Sequence, residues 1–261
     1  MRNYKHAPIE EAMCEITFGS LSSPFQWDLT LPGRVQQHRD LKDIYVGPAS
    51  QQHVQQILAE AGAQPGQPQN VALTSSLLRV LIPTADSKAL LGIGPNSLTI
   101  SSLRDYEGWT KFKPRIETAL RAYQDVAKPK GIVRITLRYI NRLVVPETGA
   151  VGADHYLEDM PPTHVASVEG TNEVLNLRLS AYNYRKEFTS SDEVKIVISQ
   201  ASLLPQKPET NEFLLDIEAV SDHAHLTVEE TIKRVERLHV VEGAVFESFI
   251  KQPARELFDA A

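Results

Sequence analysis

The stretch Gly131-Ile132-Val133-Arg134-Ile135-Thr136-Leu137-Arg138-Tyr139-Ile140-Asn141-Arg142-Leu143 carries two patterns at once. One alternation, Val133, Ile135, Leu137 and Tyr139, is apolar, as the core-facing side of a strand must be. The other holds Arg134, Thr136, Arg138, Ile140 and Arg142. The pleat of a strand puts those three guanidinium groups on one side, at steps of roughly 13 Å.

Other segments repeat the alternation. From Glu11 to Phe18, Ala12, Cys14, Ile16 and Phe18 share one face, with Glu11, Met13, Glu15 and Thr17 on the other. Pro8 biases the entry toward extended chain. "LLRVLIPT" (residues 77–84), "KALLGI" (88–93) and "SLTISSL" (97–103) read as strands, the last two joined by a Gly-Pro-Asn turn. In the second half "NLRLSAYNY" (176–184), "EVKIVIS" (193–199) and "EFLLDIEA" (212–219) do the same. Asp216 falls opposite Phe213, Leu215 and Ile217, and Arg178 and Tyr182 fall opposite Leu177 and Leu179.

Helical spacing marks other segments. Tyr106, Trp109, Phe112, Ile116, Leu120 and Tyr123 form a stripe that predicts a helix over 105–127, its aromatic face in the core. Thr227 and Glu230 form a capping box ahead of a long helix whose buried stripe is Val228, Ile232, Val235, Leu238, Val241, Val245 and Phe249. Val240 and Phe246 widen that apolar face and offer a surface for a homodimer. Residues 22–41 contain two prolines suited to short helices, and residues 50–62 read as a helix from Ser50 to Gly62. The Gln/Pro/Gly segment 63–71 reads as a mobile loop.

Each half thus runs through strands and ends in one long helix. This predicts an α+β fold of two similar strand-rich units, 1–130 and 131–261, each closed by a long helix on a mostly antiparallel sheet. They form one body.

With 261 residues, the chain can bury a large core. A net charge of −6 argues against nucleic acid as the main partner, since that affinity rests on neutralising phosphates. One cysteine, Cys14, allows no intrachain disulfide and no Cys-based zinc site. No apolar run is long enough to span a bilayer, and the N-terminus lacks a secretory apolar core, which together predict a cytoplasmic protein. His223 and His225 have metal-like spacing but no evident third ligand, and a loop before the capped helix is the simpler account. His239 reads as a structural residue. No nucleophile elbow, phosphate loop or cofactor motif appears, so no cofactor, metal or catalytic residue is assigned.

Several short motifs occur in an order that resembles an uncharacterised, sporadically distributed prokaryotic family of chains of about this length. They are Pro8-Ile9-x-Glu11-Ala12 with Glu15, Ile16 and Phe18 beyond, Tyr106-x-x-Trp109-x-x-Phe112, and Leu137-Arg138-Tyr139-Ile140-Asn141. Leu215-Asp216-Ile217, then Leu238-His239 with Phe246-Glu247, complete the series. The resemblance runs nearly end to end. It implies no biochemical activity, and its sporadic distribution is similar to that of accessory genes for defence or toxin–antitoxin functions.

The charged strand faces admit two readings. One is a solvated sheet surface with cross-strand ion pairs, each worth a few tenths of a kcal/mol. The other is a polar surface on which Arg134, Arg138, Arg142, Arg178, Tyr182, Asp216, Glu11 and Glu15 bind a partner protein or a small anionic ligand. The latter is the working expectation, with a non-enzymatic role. Its rivals are an enzyme acting on a nucleotide or phosphorylated compound through Arg138, Arg178 and Asp216, and a nucleic-acid-binding accessory factor. If the arginines form a paired network, Arg138 meets a carboxylate among Glu11, Glu15 and Asp216; the expected outcome is mixed, with Arg138 paired and Arg134 and Arg142 freer toward solvent.

Overall fold

A computed structural model describes residues 4–19, 28–59, 71–146, 153–158, 182–207 and 209–259. The strands are β1 (Ile9–Phe18), β2 (Ser50–Ala59), β3 (Val71–Pro83), β4 (Ala89–Ile93), β5 (Ser97–Ser102), β6 (Ile132–Val145), β7 (Asn183–Thr189), β8 (Lys195–Leu203) and β9 (Asn211–Leu226). The helices are α1 (Leu31–Gln36), α2 (Trp109–Ala127), α3 (Val228–Phe249) and α4 (Gln252–Asp259). All nine strands join one antiparallel sheet in the order β2-β3-β4-β5-β1-β6-β9-β8-β7. The fold is therefore α+β around a large antiparallel sheet.

One face of that sheet is apolar because the alternations of its strands are in phase. Directly paired residues share a face, so Ile82, Leu91, Ile100, Cys14, Leu137, Ala219 and Ile196 form one row across seven strands. Every member of that row is buried. Helix α2 packs on β5 and α3 on β6 and β9, with α1 against α2. Phe112, Ile116, Leu120 and Tyr123 of α2 are buried, and Tyr123 stacks on Phe18 at 4.6 Å between ring centroids. The capping box of α3 is closed: Thr227 Oγ1 accepts from the Glu230 amide and the Glu230 carboxylate accepts from the Thr227 amide at 2.8 Å. Among the described residues no helix is long and apolar enough to cross a membrane.

Several expectations need correction. Residues 50–59 are not helical but form β2, paired along its length with β3. The long partner strand supplies a backbone ladder that outweighs the weak helical preference of a Gln-rich segment. Gly62 and residues 63–70 lie outside the described residues, and residue 71 begins β3. Val133 is only half-buried, and Ile132 is the buried residue. Thr17 and Phe18 of β1 oppose Arg134 and Ile132, so β6 carries one extra residue there relative to β1, and the pleat flips. The stretch around His223 continues β9 rather than forming a loop. Helix α2 starts at Trp109 rather than 105, after Gly108 at φ +91°, a conformation that glycine adopts without strain. Of the strand pattern at 176–184, residues 176–181 lie outside the described residues and β7 takes up Asn183 and Tyr184.

Helix α4 has no counterpart among the sequence expectations. It covers Phe246, which stacks on Phe258 and meets Tyr4 edge-on. Phe246 therefore faces inward rather than widening an exposed dimer face, while Val240 remains exposed.

Candidate functional site

The arginine side of β6 is an ion-pair ladder with β9. Arg138 makes a two-pronged contact with Asp216, Nε to Oδ1 at 2.8 Å and Nη2 to Oδ2 at 2.6 Å. Arg134 donates to Asp222 at 2.6 Å, and Lys195 reaches the other oxygen of that carboxylate at 3.0 Å. Arg142 is bound by Glu212, whose second oxygen accepts from the Gln206 amide. Arg134 and Asp222 are directly opposite in the register. The other two arginines each reach the acidic residue paired with the position two further along β6.

Burial along the ladder differs from expectation. Arg142, expected to be freer, is the least exposed of the three at 21% of its side chain, on a carboxylate that is 2% exposed. Glu15 pairs with Arg79 at 3.0 Å rather than with Arg138. Glu11 lies on the same side of the sheet, opposite Ile140. Tyr182 precedes the edge strand β7; its amide donates to Ser202, and its ring lies beside that of Tyr184. Tyr184 shares a row with Gln200, Leu215 and Asn141, on the side of β6 away from the arginines. Arg178 lies outside the described residues, as does the side chain of His225. His223 Nε2 is 2.7 Å from Ser221 Oγ, and among the described residues no three metal-ligating side chains cluster.

The opposite side of the same strand borders a cavity of about 520 Å³. Its walls come from the entry to β1, the first turn of α2, the middle of β6 and the second half of α3. The chemistry-bearing residues are Tyr106, Trp109, Tyr139, Asn141, His239 and Glu242. Each is placed by a local device. In β1 two residues, Glu10 and Glu11, oppose Ile140; this bulge brings Ile9 onto the same face as Ala12 and into the cavity wall. Asn141 is 1% exposed; its amide nitrogen donates to the Leu215 carbonyl at 3.0 Å and to that of Tyr139 at 3.3 Å. Trp109 opens α2 and stacks on His239 at 3.9 Å with a 12° interplanar angle.

A phenol–phenol–imidazole chain lines the wall. Tyr106 Oη is 3.3 Å from Tyr139 Oη, which is 3.2 Å from His239 Nδ1. Burial raises both phenol pKa values and lowers that of His239 to about 4, so the chain is neutral around pH 7. At the edge, Glu247 accepts from Tyr4 at 2.9 Å and from Arg255 at 3.3 Å.

Glu242 differs from all of these. It is 3% exposed, and among the described residues none hydrogen-bonds or ion-pairs with its carboxyl. Burial pushes its pKa up to about 8. An unpaired carboxyl in an apolar wall is costly to ionise, and such groups cluster at functional sites.

The sequence expectations placed Tyr106 and Trp109 in the core and treated His239 as structural. The structure brings all three to the cavity, alongside Tyr139, Asn141, Pro8, Ile9, Phe246 and Glu247. Glu242 was missed altogether. Its signal was available: Thr231, Val235, Leu238 and Glu242 recur at steps of four, three and four, so the buried stripe runs through Glu242 rather than the half-buried Val241. No protein-family model matches the chain, and no curated protein matches it significantly.

Proposed function

We propose that this protein binds a small molecule in the cavity between β6, the start of α2 and the second half of α3. The observation that carries this reading is Glu242, a buried carboxyl without a hydrogen-bond partner among the described residues, on a wall otherwise made largely of aromatic rings. A few polar groups converging on a mainly apolar cavity of several hundred Å³ is the usual form of a ligand site. Binding remains the proposed class of function, and its place moves from the arginine side of β6 to the tyrosine side. The three described arginines each have a carboxylate partner, which weakens the case for capture of an anion there.

We further infer that the sheet is built from two similar units. In each half the first strand pairs with the last, β1 with β5 and β6 with β9, and a long helix follows the last strand. The two first strands pair with each other at the centre of the sheet.

A fragment screen read by ligand-observed NMR tests the binding reading. Thr110 is exposed on the rim, so Thr110→Trp plugs the mouth without disturbing the core. Fragments should bind the native chain with millimolar or better affinity and lose most of it in that variant. Binding that is absent, or indifferent to both Thr110→Trp and Glu242→Gln, would remove the proposal.

A further inference from the structure

The cavity also constrains the charge of what it holds. Resting on the binding reading above, we propose that the ligand carries a cationic ammonium group on a small apolar body, with the cation seated against Glu242 and the aromatic faces.

Three features converge on this. The first is the imbalance of charge. The titratable groups lining the cavity besides Glu242 are Tyr4, Tyr106, Glu107, Tyr139, His239 and Glu247. None of the described lining residues is a lysine or arginine. Among the described residues the nearby cations are already engaged: Lys111 and Arg115 with Glu107, Arg255 with Glu247. The phenols are neutral and His239 is held neutral, chiefly by burial, so Glu242 has no cationic partner among the described residues. The second feature is the wall itself, because Trp109, Tyr106, Tyr139, Phe246 and Tyr4 present the rings that favour a cation through their quadrupoles. The third is hydrogen bonding. Both donor interactions of Asn141 go to backbone carbonyls, leaving its carbonyl oxygen as an acceptor without a partner among the described residues. A protonated amine supplies donors to both this oxygen and the carboxylate, whereas a quaternary ammonium meets only the charge and the rings.

The first turn of α2 also borders the cavity and carries partial positive charge. Glu107 stands immediately before that turn and offsets it.

Seating a cation requires Glu242 to release its proton. Below about pH 8, where burial keeps this carboxyl protonated, ligand affinity should therefore rise with pH, by up to about tenfold per unit. Above that pH the affinity should level off.

Isothermal titration calorimetry with four probes separates the outcomes: phenethylamine, phenethyltrimethylammonium, phenylpropionate and phenylpropanol. The two cations should bind at least tenfold more tightly than the alcohol or the carboxylate at pH 8. Glu242→Gln should abolish that preference while leaving the alcohol's weak affinity, which shows that the cavity is intact. Affinity for phenethyltrimethylammonium, whose own charge is fixed, should climb between pH 6 and 8. Phenylpropionate as the tightest ligand, or a flat pH profile, would overturn the assignment of charge while cavity binding stands. If none of the four binds yet the fragment screen yields neutral or anionic ligands, the cationic reading alone falls. An empty fragment screen removes both.

Discussion

Glu242 occupies a position where its helix would otherwise place an apolar residue, and the consequence is measurable without any ligand. Its pKa in the folded protein, about 8, lies above the ordinary carboxylate value of 4.5. The stabilisation from keeping it neutral is fully present below the unfolded value and is lost as pH rises toward 8. His239 acts in the opposite sense: its pKa is lowered from 6.5 to about 4, so its contribution is complete above 6.5 and lost as pH falls. Between about pH 4.5 and 6.5 the two slopes oppose each other. From about 6.5 to 8 only the Glu242 slope remains, of up to roughly 1.4 kcal/mol per pH unit. Urea unfolding across that window should show the native chain losing stability with pH relative to Glu242→Gln. Parallel pH profiles for the two proteins would mean that this carboxyl is hydrated or paired in solution.

At the scale of the element, β6 presents an ion-pair ladder on one face and a wall of the proposed site on the other. Its arginine side is a structural ladder graded by burial, and the gradient sets expected costs. Arg142→Ala leaves the Glu212 carboxylate, 2% exposed, without its cation and should cost about 3–5 kcal/mol. Arg138→Ala strands the less buried Asp216, 11% exposed, and should cost about 1–3 kcal/mol. Arg134→Ala, at an exposed pair, should cost under about 1 kcal/mol. Chemical denaturation of the three variants checks the order, and a reversed order would mean that burial does not set the cost. Much of this strand was legible in the sequence, because period-two alternation from Ile135 to Tyr139 states which side is buried. Arg138 meeting Asp216 followed from the same phasing. What was not legible depends on more than one element. The bulges at Glu10 and near Val133 arise where two strands must fit a third, and β2 is set by its partner β3 rather than by its own composition. The cavity draws Tyr139 from a strand, Trp109 from one helix and Glu242 from another. A one-dimensional pattern gives the face of each but not their meeting point.

For the whole molecule, the pairing of β1 with β6 is the decisive feature. Each half contributes one strand to this central ladder, which runs from Ile9–Asn141 to Phe18–Ile132. The halves meet elsewhere too: Trp109 stacks on His239, Tyr4 bonds Glu247, and the Arg142 amide donates to the Pro8 carbonyl at 2.8 Å. Cutting the chain between α2 and β6 would expose the inner edges of β1 and β6 together with half of the cavity wall. Unpaired interior edges leave rows of backbone donors and acceptors unsatisfied and promote association. Fragments 1–130 and 131–261 should therefore each aggregate or lack a cooperative melt when produced alone. The intact chain should unfold in one transition, with far-UV circular dichroism and tryptophan fluorescence coincident in urea. With Trp27 replaced by Phe, the emission is that of Trp109 and reports the α2–α3 stack, while circular dichroism reports the sheet and helices at large. Two separated transitions, or a 131–261 fragment that melts cooperatively as a monomer, would show that the central ladder joins two independently stable bodies. The proposed cavity would then be an interface able to open between them, and ligand affinity should fall in step with the first transition rather than the last.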